Sequence, residues 1–242
     1  MASHDVVLIP GLMCDATVWE PQLAALGRVA NLTVFYPDAR NSLAAMAEVL
    51  LAQAPATFAL AGHSMGGRVA LEVVRRAAHR VSGLALLDTG YRPLAPGPAG
   101  ERERAGRFAL LEMARRDGMR AMGARWLEGM IHRASRHDPA LVDRILDMIE
   151  RKSPELFAAQ IQALLARPDA ADVLTAVECP SLVLCGREDA WAPVSQHEEI
   201  AAAISGSRLE IVPDCGHMST LERPEAVSGA LWEWLAAVSS AA

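Results

Sequence analysis

The feature that most constrains this chain is an alternation of short apolar runs with stretches of helical length. The runs fall at residues 6–9, 32–36, 58–61, 84–87, 182–185 and 209–212, each bounded by turn residues. Parallel strands, which are buried on both faces, have this continuous apolar character. Between them lie residues 42–53, 65–76, 194–204 and 224–237, each long enough for the crossover that parallel strands need. The pattern predicts an α/β fold, a mostly parallel sheet with helices on both faces.

That rhythm stops between Tyr91 and Val177. The interruption opens on Arg92-Pro93-Leu94-Ala95-Pro96-Gly97-Pro98-Ala99-Gly100, too rich in Pro and Gly for regular structure, which predicts a hinge or loop. Asp138-Pro139 and Ser153-Pro154 each place a capping side chain before a Pro suited to the first helical position, so a helix is expected from each. Residues 92–177 are therefore predicted to be a helical cap inserted between two strands. A chain of 242 residues has the length of one α/β domain, and 1–242 is read as a single domain.

Composition removes several classes. A net charge of −6 argues against a nucleic-acid partner, which would demand a basic face. The apolar runs are too short to span a bilayer, and Met1 to Pro10 lacks the basic leader and long apolar stretch of a secretory signal. Cytoplasmic residence without membrane association is expected. The cysteines, Cys14, Cys179, Cys185 and Cys215, have no C-x-x-C spacing, so free thiols are expected and no metal site is indicated.

The chemistry begins at Gly62-His63-Ser64-Met65-Gly66, which fits G-x-S-x-G with a predicted strand leading in and a helix leading out. Glycines two residues either side of a Ser permit a sharp strand-to-helix turn that lifts the hydroxyl above the sheet. A hydroxyl is a weak nucleophile at neutral pH and needs an imidazole, itself held by a carboxylate. Among the histidines, His4 precedes the first strand, and His63 lies within the turn itself. His79, His132, His137 and His197 fall in helices or their ends, where polar surface roles are expected. His217 stands in the loop after the last strand and is the expected base.

Asp189, in Gly186-Arg187-Glu188-Asp189 after the fifth run, is the expected acid, and Asp88, at the end of the fourth, is its rival. Glu188 is expected to point elsewhere, and Asp214 to shape the His217 loop. An oxyanion would be met by the backbone amides of Met65 and Leu12, the latter following Pro10-Gly11. Met13, Trp19, Trp126 and Met130 are candidates for an apolar pocket, although core packing accounts for each of them better. Arg125 is a candidate for holding a substrate carboxylate, with a solvated surface position the better reading.

These residues resemble the α/β-hydrolase superfamily, and within it the small cap-bearing serine esterases. The resemblance rests on Pro10-Gly11-Leu12 with Trp19, on Gly62 through Gly67, on Gly186 through Asp189 with Pro193, and on Gly216-His217 with Glu222 and Pro224. It implies Ser64, Asp189 and His217 as catalytic triad, Leu12 and Met65 as oxyanion donors, and no metal or organic cofactor. It also implies hydrolysis of small-molecule carboxylic esters through an acyl-enzyme. Carbon–carbon, thioester or lactone hydrolysis by the same triad, or a non-catalytic small-ligand receptor, are the alternatives. Two departures stand out. Pro10 replaces the usual His of the oxyanion loop, so other groups must support that loop. A glycine-rich stretch common after the second strand is absent, and Tyr36 to Ser42 passes almost directly into a helix.

Overall fold

A computed structural model describes residues 4–241. Six strands, β1 (His4–Ile9), β2 (Ala30–Val34), β3 (Phe58–His63), β4 (Val81–Leu87), β5 (Ser181–Gly186) and β6 (Arg208–Val212), form one sheet in the order β2-β1-β3-β4-β5-β6. Every pairing among them is parallel. All residues of β3 and β5 are buried, which is why these segments read as unbroken apolar runs. Burial of Leu60, Leu84 or Leu184 contributes about 2 kcal/mol each.

The remaining elements are helices: α1 (Glu20–Leu26), α2 (Leu43–Gln53), α3 (Met65–Ala77), α4 (Pro98–Asp117), α5 (Met119–Leu127), α6 (Pro139–Glu150), α7 (Pro154–Leu165), α8 (Ala171–Thr175), α9 (Val194–Ala203), α10 (Ser219–Glu222) and α11 (Pro224–Ala241). One layer is built on α1 and α11, which pack together. The other is built on α2, α3, α8 and α9, each touching the next. The run α4 to α8 lies between β4 and β5, so the predicted helical cap is present. Its internal starts follow the capping signals: Asp138 accepts from the amides of Ala140 and Leu141, and Ser153 Oγ from Leu156 N. None of the described helices is long and apolar enough to cross a membrane. The four cysteines are free thiols.

Three expectations need correction. β2 ends at Val34 rather than Tyr36, which is 52% exposed. It is an edge strand covered on one face, so Asn31 and Thr33 alternate outward and the apolar run misplaces its ends. The Pro- and Gly-rich loop closes earlier than expected, because Gly97 takes φ +67° and Pro98 opens α4 as its first residue. His197, assigned a surface role, is fully buried. Its Nε2 accepts from Thr89 N at 3.0 Å while Nδ1 faces the Pro193 carbonyl at 3.2 Å.

The strand order reverses direction between β1 and β3, which leave their carboxyl ends for opposite sides of the sheet. Such a switch point opens a crevice above the strands. The turns after β1 and β3 carry Leu12 and Ser64 into it.

Candidate active site

Ser64 sits where β3 becomes α3, with φ 55° and ψ −117°, a conformation that a non-glycine residue adopts only under constraint. The constraint is visible. Ser64 N donates to the Leu87 carbonyl at 2.8 Å, and the Ser64 carbonyl accepts from Gly67 N at 3.0 Å and from Thr89 Oγ1 at 2.6 Å. The turn also depends on Gly66, whose missing Cβ would stand 2.2 Å from the Ile9 carbonyl oxygen. Any side chain there would drive the elbow away from β1.

His217 reaches the elbow from the loop after β6. Its Nε2 is 2.7 Å from Ser64 Oγ, and its Nδ1 is 2.7 Å from Asp189 Oδ2. An ionised carboxylate only accepts, so Nδ1 carries the proton and donates to Asp189. Nε2 then accepts from the Ser64 hydroxyl. The loop is pinned at both ends of the residue: His217 N donates to the Met130 carbonyl at 2.7 Å, and the His217 carbonyl accepts from His63 Nε2 at 2.8 Å. His63 is buried, and burial together with the neighbouring His217 lowers its pKa to about 3, so it acts here as a neutral donor.

Asp189 and Asp88, the two acid candidates, both lie buried beyond neighbouring strand ends. Asp189 gives Oδ2 to His217 and Oδ1 to the amides of Trp191 and Ala192 at 2.8 and 2.9 Å. Burial opposes its charge. The His217 charge, the bond to it and the two amides outweigh that and hold the pKa below the usual carboxylate value. Asp88 instead accepts from Gly186 N at 3.0 Å and from Ser219 Oγ at 2.5 Å. Burial, then the charge of Asp189, pushes its pKa up to about 8. It does not bond His217.

Other groups, for which no role at the site was expected, frame this arrangement. Glu222 is buried, and its Oε1 accepts from the amides of Gly216 and Met218 at 3.0 and 3.3 Å. Its Oε2 accepts from His132 N and Ser135 Oγ, both at 2.8 Å, tying the cap to the His217 loop. Glu188 does point away from His217, its Oε2 accepting from Cys215 N at 2.9 Å. Gly186 matters for the same corner, since a Cβ there would meet the Gly216 carbonyl oxygen at 2.1 Å.

Met65 and Leu12 both line the cavity that Ser64 faces. Met65 is the first residue of α3, where the helix leaves N–H groups without an internal partner. The Leu12 loop, which lacks the usual His, is supported from the cap. Met13 N donates to Gln160 Oε1 at 3.0 Å, and Asp15 accepts from Lys152 Nζ at 2.6 Å and Arg151 at 3.0 Å. Burial works against the Asp15 charge, yet Lys152 and the other donors lower its pKa to about 2.

The cavity measures about 620 Å³ and lies between the sheet edge and the cap. Trp126 and Met130 line it, against the packing role preferred for them, whereas Met13 and Trp19 are wholly buried core residues outside it, as that preference had it. Trp126 stacks on Trp191 with ring centres 5.1 Å apart, and Trp191 packs on His217 at 4.9 Å. Arg125 is an exposed partner of Glu128 and does not face the cavity. Among the described residues His132, Glu188 and Asp214 could together hold a metal ion, their ligand atoms lying within 4.8 Å of one another. None of the three lines the cavity.

Comparison with known proteins follows the same lines. The chain is 28% identical over 239 residues to the pimeloyl-[acyl-carrier protein] methyl ester esterase of Aromatoleum aromaticum, covering 93% of this chain and 95% of that protein. A thermophilic esterase from Thermogutta terrifontis, solved with malate bound, superposes with a TM-score of 0.85 at 30% identity, covering 98% of this chain and 91% of the other. The enol-lactonase of Burkholderia xenovorans shares the fold, with a TM-score of 0.85 at 24% identity and coverage of 98% and 92%. The profile of the Alpha/beta hydrolase family matches residues 6–230, and the chain belongs to that family of hydrolases.

Proposed function

We propose that this protein is a serine hydrolase that cleaves carboxylic esters of small molecules through an acyl-enzyme. The observation that carries the reading is the unbroken hydrogen-bonded chain from Ser64 Oγ through His217 to Asp189, opening onto a cavity. In this reading His217 takes the Ser64 proton as the hydroxyl attacks the ester carbonyl, while the ionised Asp189 stabilises the imidazolium. The amides of Leu12 and Met65 receive the oxyanion. His217 then gives the proton to the leaving alcohol, and water releases the acid. The esterase relatives support the choice of an ester bond.

A fluorophosphonate probe followed by peptide mass spectrometry tests the assignment. The adduct is expected on Ser64, and labelling that persists in Ser64→Ala would overturn it. Turnover of short nitrophenyl esters separates this reading from a receptor on the same fold, which would bind them without releasing nitrophenol.

A further inference from the structure

The cavity facing Ser64 carries a charge that the rest of the molecule does not share. The chain has a net charge of −6, yet Arg68, Arg92, Arg102, Arg107 and Arg167 line the cavity against only Asp88 and Glu103. Asp88 is engaged at the floor by Gly186 N and Ser219 Oγ. Glu103 is shared by two guanidinium groups, with Arg167 contacting both oxygens at 2.7 and 2.8 Å and Arg107 lying 2.9 Å from one of them. Arg92 pairs outward with Glu199 at 2.8 Å.

Arg102 is exposed, with no ion pair among the described residues, and the less exposed Arg68 likewise has no counter-ion. Its hydrogen bond goes to the Arg92 carbonyl at 2.9 Å, and among the described residues no carboxylate lies within ion-pair range of it. Burial, then repulsion from Arg167, lowers its pKa to about 9, with Glu103 acting the other way and Arg107 adding to the repulsion. It therefore remains charged at neutral pH. A crowded, partly buried guanidinium is unfavourable alone, and a planar anion that accepts two N–H bonds offsets that cost.

The position of Arg68 says which part of a substrate would meet it. It lies four residues after Ser64 along α3, about 6 Å away along the helix. His217, which in that reading protonates the leaving alcohol, has the Trp191 ring against it, and Trp126 stacks on the Trp191 ring. With the alcohol set against that aromatic wall, the acyl chain would extend toward α3.

We propose that Arg68, with Arg107 and Arg167, forms a subsite for a carboxylate at the far end of the substrate's acyl chain, so that the preferred substrates are half esters of short dicarboxylic acids. This rests on the serine hydrolase reading above. The test compares 4-nitrophenyl hydrogen glutarate with the same ester capped by a methyl group on its free carboxylate. The wild-type kcat/KM is expected to favour the charged ester by about 10- to 100-fold, chiefly through KM. Arg68→Gln is expected to bring the ratio close to one, and Arg68→Lys to retain part of it. A wild-type ratio near one, or a ratio unchanged in Arg68→Gln, overturns the subsite and leaves the serine hydrolase intact.

Binding of the two esters to Ser64→Ala, read by calorimetry, tests the subsite without turnover. Tighter binding of the charged ester, lost on adding Arg68→Gln, supports it even if hydrolysis fails, and equal binding overturns it. Failure of Ser64 labelling in the wild type sinks the hydrolase reading separately.

Discussion

The ends of β4 and β5 offer the same residue in nearly the same place and put it to different use. Each is followed by a buried aspartate that faces the His217 loop. Asp189 is held ionised by an imidazole and two amides, whereas Asp88 meets one amide and one hydroxyl and is pushed toward its neutral form. Two like charges at such proximity cannot both be cheap, so the partners decide which carboxylate carries the charge. Position after a strand thus nominates an acid, and the donors around it select between nominees.

The largest way to break this contrast is to neutralise each acid in turn. Asp189→Asn is expected to lower kcat by about 10⁴-fold, because the amide no longer enforces the required tautomer of His217. Asp88→Asn is expected to cost less than about tenfold. Steady-state kinetics on one ester decides the matter, and equal losses would erase the distinction. Stability sharpens the comparison next. Asp88→Ala removes the acceptor for Gly186 N and Ser219 Oγ and should cost about 2–3 kcal/mol in urea unfolding, whereas Asp88→Asn keeps an acceptor and a donor and should cost about 1 kcal/mol or less.

A smaller effect concerns pH. Burial disfavours protonated His217, but the Asp189 charge and hydrogen bond raise its pKa above the ordinary value of 6.5. Since a protonated His cannot act as base, kcat/KM should rise with pH through a midpoint above that value. In Asp189→Asn the midpoint should move down, and an unmoved limb would mean that His217 is not coupled to Asp189. The last effect is on folding. Asp88 has a folded pKa near 8 against an ordinary 3.8, so its contribution is complete below the unfolded value and is lost as pH rises toward and through 8. The wild type should therefore lose stability between about pH 4 and pH 8 more steeply than Asp88→Asn, as measured by thermal melting across that range.

Much of the fold was legible because buried parallel strands leave a continuous apolar signature. β3 and β5 are unambiguous for that reason, and β2 is displaced because an exposed edge alternates instead. The short α1 escaped notice, since its signal is a Pro inside a brief polar and apolar mixture, Glu20-Pro21-Gln22. At the site, Ser64 and His217 are nominated by local context. The clasp formed by Glu222 and the support from Gln160 unite residues far apart in the chain, and no local pattern announces a contact of that kind. His197 was misplaced because helical position alone does not reveal which face meets the sheet. The arginine-lined side of the cavity was equally hidden, because Arg68, Arg107 and Arg167 come together only when the cap closes over α3.

The clasp between Glu222 and His132 bears on how such proteins can be rebuilt. Met130 supplies the acceptor for the His217 amide, and Gln160 holds the turn beside Leu12. The insertion is thus a scaffold for the His217 and Leu12 loops as well as a roof over the cavity. Exchanging it for a foreign helical module would require grafting those anchoring positions too, or the recombinant would fold with Ser64 in place and His217 adrift.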